Sequence, residues 1–381
     1  MKAVMIDRQR IVTTGITTTA LATVALVLWL KPWASETLIG NEQPTPVAAQ
    51  KGRAVDIVFA VDTTGSMGGL LDGAKRTVWS IANQVKSIDP DADLRVGLVA
   101  YRDLGDDYVT KDFALTDDLD AMYVELSAYQ AAGGGDVPEN VDAALYNAVH
   151  RMKWRDGAKK MIFLVGDAPP SSRGEVPTFE LTAKEAAKYQ IKINTIRCGQ
   201  DGETARAWQQ IAMLGSGEFS TIQQDGGVQQ IATPYDDRMA HLASEIDSTT
   251  VVYGDDSVRG HYEAKIAAAE AAPAPAKADR GVYYAKKGGV SAKPSEDAVG
   301  GVASGAMDVA DLEEGKLPAD MRGKTKVELE ADLKARAKKR EQAQKEMNEL
   351  AKQRDEYLAK NKKGEGGFDA VVNKTLEAQL K

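Results

Sequence analysis

The stretch Val55–Gly69, VDIVFAVDTTGSMGG, constrains the fold more than any other part of the chain. Val55 to Val61 are almost all apolar and mostly β-branched or aromatic, the composition of a strand buried on both faces. The run stops at Asp62-Thr63-Thr64-Gly65-Ser66. Met67, Leu70, Leu71, Ala74, Val78, Ile81 and Val85 then recur at the three- and four-residue spacing of a helix packed along one face. Sites in open α/β sheets lie where the carboxyl end of a strand meets a helix N-terminus. Asp62, Thr64 and Ser66 stand at that place. All three offer hard oxygen atoms, which select Mg²⁺, Mn²⁺ or Ca²⁺ over softer metals.

The pattern repeats down the chain. Leu94–Tyr101 is a second buried strand, ending in Arg102-Asp103, which we expect to be a solvated pair. Tyr108–Leu115 alternates as an edge strand, and Asp117–Tyr129 is helical. A glycine-rich acidic loop, Gly133–Glu139, opens a helix from about Asn140 to Trp154. Met161–Val165 is a third buried strand that ends in Gly166-Asp167 and a Pro169-Pro170 loop. Ile191–Cys198 with Thr204–Leu214, and Glu218–Ile222 with a helix from about Gly227 to Ser244, add two more strand–helix units. Strands alternating with helices predict an α/β fold, a doubly wound, mostly parallel, Rossmann-like sheet flanked by helices. Its strand ends would gather Asp62, Thr64, Ser66, Asp103 and Asp167 on one edge, within reach of Asp136 and Glu139. An octahedral Mg²⁺ site takes a few such oxygens and keeps some waters.

These segments carry a resemblance. DTTGSM at 62–67 resembles the D-x-[ST]-x-S signature of von Willebrand factor type A domains and their metal-ion-dependent adhesion site. GGGDVPENVDAAL at 133–145 is similar to the D-x-P-E loop of integrin β-subunit I-like domains, and MIFLVGDAPP at 161–170 supplies the family's third-strand aspartate. The resemblance implies a metal site of Asp62, Thr64, Ser66, Glu139 and Asp167, holding Mg²⁺ or alternatively Mn²⁺ or Ca²⁺. It implies cell-adhesion-type binding of a protein partner that presents an Asp or Glu carboxylate to the ion. Asp103 and Asp136 are candidates for a second ion or for outer support. The paired acids that form an adjacent site in integrin β subunits are Gly68 and Gly69 here.

Other classes fit less well. A haloacid-dehalogenase-like phosphotransferase would also place an aspartate after a strand, but Asp167 is followed by Ala-Pro-Pro, without a second acid. Gly-x-Ser-x-Gly and phosphate-loop patterns are absent, so we expect no enzyme. The main alternative is a scaffold in a secretion or envelope complex whose metal site is vestigial or only stabilises the fold, with the phosphotransferase a remote one. The net charge of −8 gives no basic footprint for nucleic acid. Cys198 closes an apolar run and is expected to be buried filler, and Trp79, Trp154 and Trp208 are expected to pack.

Both ends differ in character from the middle. Residues 11–30 carry no charge and would rise roughly 30 Å as a helix, enough to cross a bilayer core. Lys2, Arg8 and Arg10 keep residues 1–10 cytoplasmic, so the bulk of the chain is expected on the extracytoplasmic side of a single-pass membrane anchor. A cleaved signal peptide is the competing reading, but no good cleavage site follows the apolar run. Residues 31–53 form a linker to a domain at 54–248. Residues 249–323 are rich in Ala, Pro and Gly and are expected to be a disordered linker. Thr325-Lys326-Val327-Glu328 is a capping box opening a charged helix, 324–362. Its thin apolar stripe, interrupted by Arg336, Arg340 and Arg354, leaves open a solvated helix, a weak coiled coil that self-associates, or a docking helix. Residues 363–381 form a short amphipathic tail.

Overall fold

The computed structural model describes residues 53–135, 138–287, 289–361 and 366–381. Its strands are β1 (Ala54–Asp62), β2 (Asp93–Tyr101), β3 (Thr110–Thr116), β4 (Lys159–Gly166), β5 (Ile191–Cys198) and β6 (Phe219–Ile222). They form one sheet in the order β3-β2-β1-β4-β5-β6. All neighbours are parallel except β3, which runs antiparallel on the edge. The order reverses direction between β1 and β4, so a crevice opens there at the carboxyl ends of the strands.

Side-chain alternation in β1 builds a core on each face. Val55, Ile57, Phe59 and Val61 pack against α1 (Gly68–Ile88) and α2 (Leu119–Ala128). Val58 and Ala60 pack toward α3 (Val141–His150), α4 (Phe179–Lys188) and α5 (Gly202–Leu214). Trp79 and Trp208 are fully buried in these layers, and Cys198 lies buried with the first. Asp56, on the second face, is fully buried and accepts from Arg95 and Arg155. The short helix α4 is absent from the sequence expectation, because its apolar face is only Phe179, Thr182, Ala183 and Ala186.

The second half of the chain departs from expectation. The helix predicted from about Gly227 starts at Asp236 instead, as α6 (Asp236–Ser248). Pro234 and the left-handed Gly226 and Gly227 keep the preceding residues out of helix. That non-helical segment presses on α1, where a side chain at Gly69 would meet Asp225 at 2.9 Å and one at Gly73 would meet Val228 at 2.8 Å. Residues 249–323 are not a disordered linker. They contain α7 (Asp256–Glu270), α8 (Ala274–Lys287), α9 (Ala298–Ala303) and short 3₁₀ turns, and α8 packs against α1 and α6. Alanine there serves close helix packing, with Ala276 and Ala278 fully buried.

The charged helix is α10 (Lys326–Asn361), opened by the reciprocal bonds of Thr325 and Glu328. Its stripe is covered by this chain's own α6, α8 and α9, so that face is not free for a coiled coil with a second copy. Arg340 and Arg354, which would break an apolar seam, are buried and paired: Arg340 with Asp297 and Thr249, Arg354 with Asp236 and Asp279. The chain closes with α11 (Phe368–Leu380), whose Phe368, Val372, Leu376 and Leu380 enter the β1–α1 core. Among the described residues no helix is long and apolar enough to cross a membrane; residues 11–30 lie outside them.

Candidate metal-binding site

The end of β1 sets the geometry. Asp62 is fully buried, and one of its oxygens, Oδ1, accepts from the Thr64 backbone N–H at 2.8 Å and from the Thr64 hydroxyl at 2.6 Å. This local turn holds the Thr64 hydroxyl 3.4 Å from that of Ser66, which lies in the 3₁₀ turn Gly65–Met67 that runs into α1. Thr63 faces the other way, bonding the Tyr101 carbonyl and the Tyr108 hydroxyl. Alternate residues of one loop thus present two hydroxyls to a single point.

The glycine-rich loop is tied on by the bonds from Ala132 to the Thr63 carbonyl and from Gly65 to the Gly133 carbonyl. Gly134 has φ of 81° and sits between Thr64 and Glu139, where a side chain would meet both. Glu139 is held by its backbone, which pairs with Pro169 and Ser171 of the loop after β4. Asp167 leaves the end of β4 and accepts from Gln224 at 2.6 Å. Thr64, Ser66, Glu139 and Asp167 line one cavity of about 260 Å³, with Asp62 directly behind Thr64.

Asp103 stands farther out. It is buried and bonds Arg173 at 2.6 Å, while Arg102 does not pair with it. Arg102 is itself buried, donating to the Thr63 and Gln130 carbonyls and lying over the Tyr108 ring, so the expected solvated pair is replaced by two separate anchors. Asp136 lies outside the described residues. Sequence reasoning missed Gln224, Arg173 and Asp106, whose carboxylate accepts from the Gly134 N–H. No local signal marks them, because each reaches the site across a long stretch of chain.

The electrostatics are unbalanced. Asp62 Oδ2 and Glu139 Oε2 are buried without a hydrogen-bond partner. Burial, helped by Asp167, pushes the Asp62 carboxyl up to about 7 against the pull of the Thr64 bonds. Burial and the neighbouring Asp62, Asp103, Asp106 and Asp167 push Glu139 up to about 9. Such a group of oxygens suits a hard cation, which would satisfy the stranded oxygens and cancel the repulsion. Among the described residues no three His, Cys, Asp or Glu side chains converge closely enough to enclose a metal alone, and a cation here would need the hydroxyls as well.

Comparison with known proteins identifies the family of this part of the chain. The family model for the von Willebrand factor type A domain matches residues 56–234. This region is a von Willebrand factor type A domain. Its β1 turn, glycine-rich loop and β4 end are the segments that meet at the cavity. Among curated proteins, the chain is 28% identical over 126 residues to the alpha-protein kinase vwkA of Dictyostelium discoideum, covering 32% of this chain and 20% of that protein. It is 29% identical over 117 residues to a putative ariadne-like RING finger protein, R811, of Acanthamoeba polyphaga mimivirus, covering 30% of this chain and 11% of that protein. The chain therefore spans a fifth or less of the length of these relatives. Among solved structures, BatB from Bacteroides thetaiotaomicron aligns with a TM-score of 0.34 and 17% identity, over 44% of this chain and 90% of that one.

Proposed function

We propose that this chain binds a partner protein through a divalent cation at the type A domain, the partner supplying an Asp or Glu carboxylate to the ion. Thr64, Ser66 and Glu139 would hold the ion directly, with Asp62 and Asp167 orienting the hydroxyls and coordinated waters from behind. Bound there, the ion supplies a positive charge that the incoming carboxylate can share. Mg²⁺ suits the hydroxyl and carboxylate donors, and Mn²⁺ or Ca²⁺ could replace it. The observation that carries this reading is the pair of buried, unpartnered oxygens, Asp62 Oδ2 and Glu139 Oε2, beside two hydroxyls in one open cavity. Type A domains are interaction modules, and this reading makes the chain a binding protein. Residues 11–30 would anchor it in a membrane, with the domain on the extracytoplasmic side.

The test is a pull-down from the native source with the chain on beads, once in Mg²⁺ and once in chelator, alongside Asp62→Asn. Partner capture should require the metal and fail in the variant. Capture that is equal in chelator would sink the reading.

A further inference from the structure

A second cavity, of about 490 Å³, lies along the outer flank of α1 and shares none of the candidate metal ligands. Its floor is the α1 face carrying Arg76, Thr77, Ser80, Asn83, Gln84 and Ser87. That face spans roughly 16 Å at the helical rise, room for about five residues of extended chain. The walls come from α8, α10, α11 and the 223–231 segment.

The chemistry of the lining is selective. Arg354 is committed to Asp236 and Asp279, and Lys286 reaches the Ser87 hydroxyl. Arg76, in contrast, makes no hydrogen bond or ion pair among the described residues, and its Nε is buried without a partner. A guanidinium in a cleft with nothing to bind is suited to a carboxylate. The side chains of Gln223, Gln229, Gln230 and Asn373 are likewise unbonded, and each offers a donor and an acceptor, the complement of a peptide group. Asp355 and Asp369 also line the cleft. They disfavour a multiply charged anion such as phosphate and can accept an ammonium. Among the described residues no aromatic side chain lines the cleft to stack a sugar or a base. Val228, Ile231, Val282 and Leu358 give apolar footing for small side chains.

We propose that this cleft binds a short extended peptide, its carboxylate seated on Arg76 and its peptide groups laid along the side-chain amides. The site is independent of the metal. The probe is tetra-alanine, titrated calorimetrically into the full chain in chelator and again in Mg²⁺, with C-terminally amidated tetra-alanine beside it. Saturable binding is expected, equal with and without metal, and weakened about tenfold by amidation or by Arg76→Gln. Arg76 makes no hydrogen bond or ion pair whose loss would disturb folding, and circular dichroism of the variant checks that the fold is kept. Gln229→Ala combined with Gln230→Ala should weaken binding as well. Absence of saturable binding, equal affinity for acid and amide, indifference to Arg76→Gln, or a requirement for Mg²⁺ each overturns the proposal.

Discussion

Asp62 and Glu139 show what single side chains contribute. Both carboxyls are pushed up, to about 7 and about 9, by burial first, with Asp167 adding to the rise at Asp62 and Asp62 adding to the rise at Glu139. A ligand carboxyl must be deprotonated, so cation binding displaces protons wherever the pH lies below these values. Apparent Mn²⁺ affinity should therefore rise from pH 6 to pH 9 and fall as the solution is acidified. A paramagnetic titration across that range measures it, and a flat profile would contradict the assignment. Asp56 works with the opposite sign. Burial raises its pKa, but the bonds from Arg95 and Arg155 outweigh that and hold it below the usual carboxylate range. Its stabilising contribution is present above the pKa of the unfolded chain and is lost as pH falls through the folded value. Asp56→Ala should cost about 1.5–3 kcal/mol in urea unfolding at pH 7, because it removes the buried carboxylate to which both Arg95 and Arg155 donate and leaves Arg155 with Asp93 and the Val55 carbonyl. The stabilities of variant and parent should converge in acid. The Asp62-Thr64-Ser66 cluster was legible in the sequence because turn and strand end are adjacent in the chain. Gln224 and Arg173 were not, since nothing local records which strand end a distant loop will reach.

Elements are joined here largely by buried arginines. Arg280 of α8 bonds Asp120 of α2 and Asp247 of α6, and Asp120 also accepts from Trp79. All four are buried, so Arg280→Ala would leave two carboxylates without a counter-charge. We expect a loss of about 3–5 kcal/mol by chemical denaturation. A loss below about 1 kcal/mol would mean that water replaces the guanidinium. In α10 the same device is legible only in part. Arg340 and Arg354 look like interruptions of an apolar stripe in one dimension, whereas their acidic partners lie on elements distant in sequence. A capping box can be read locally because both its residues fall within one turn. α11 is held differently, by packing. Phe368 lies 6.1 Å from Phe59 between ring centres and is buried in the β1–α1 core, so Phe368→Ala should cost about 3–5 kcal/mol.

At the scale of the whole chain, the type A domain and the helices after it share a core. Phe368, Val372, Leu376 and Leu380 belong to the same apolar cluster as Val55, Ile57 and Phe59. A chain ending at Ser248 would expose that surface, and we expect it to aggregate or bind hydrophobic dye where the full chain does not. Residues 249–323 should resist limited proteolysis under native conditions, as helices packed with buried side chains do. Rapid cleavage between Asp256 and Lys287 would restore the linker reading.

The sequence by itself determined the strands, their alternation with helices and the hydroxyl–carboxylate turn after β1. Those features rest on periodicity and on residues within a few positions of one another. Tertiary structure alone decided that an Ala- and Gly-rich stretch would pack as helices. It also decided that arginines in a charged helix would be buried and that the last helix would complete the first strand's core. In each case the stabilising partner lies far along the chain, and contacts of that kind leave no local pattern to read.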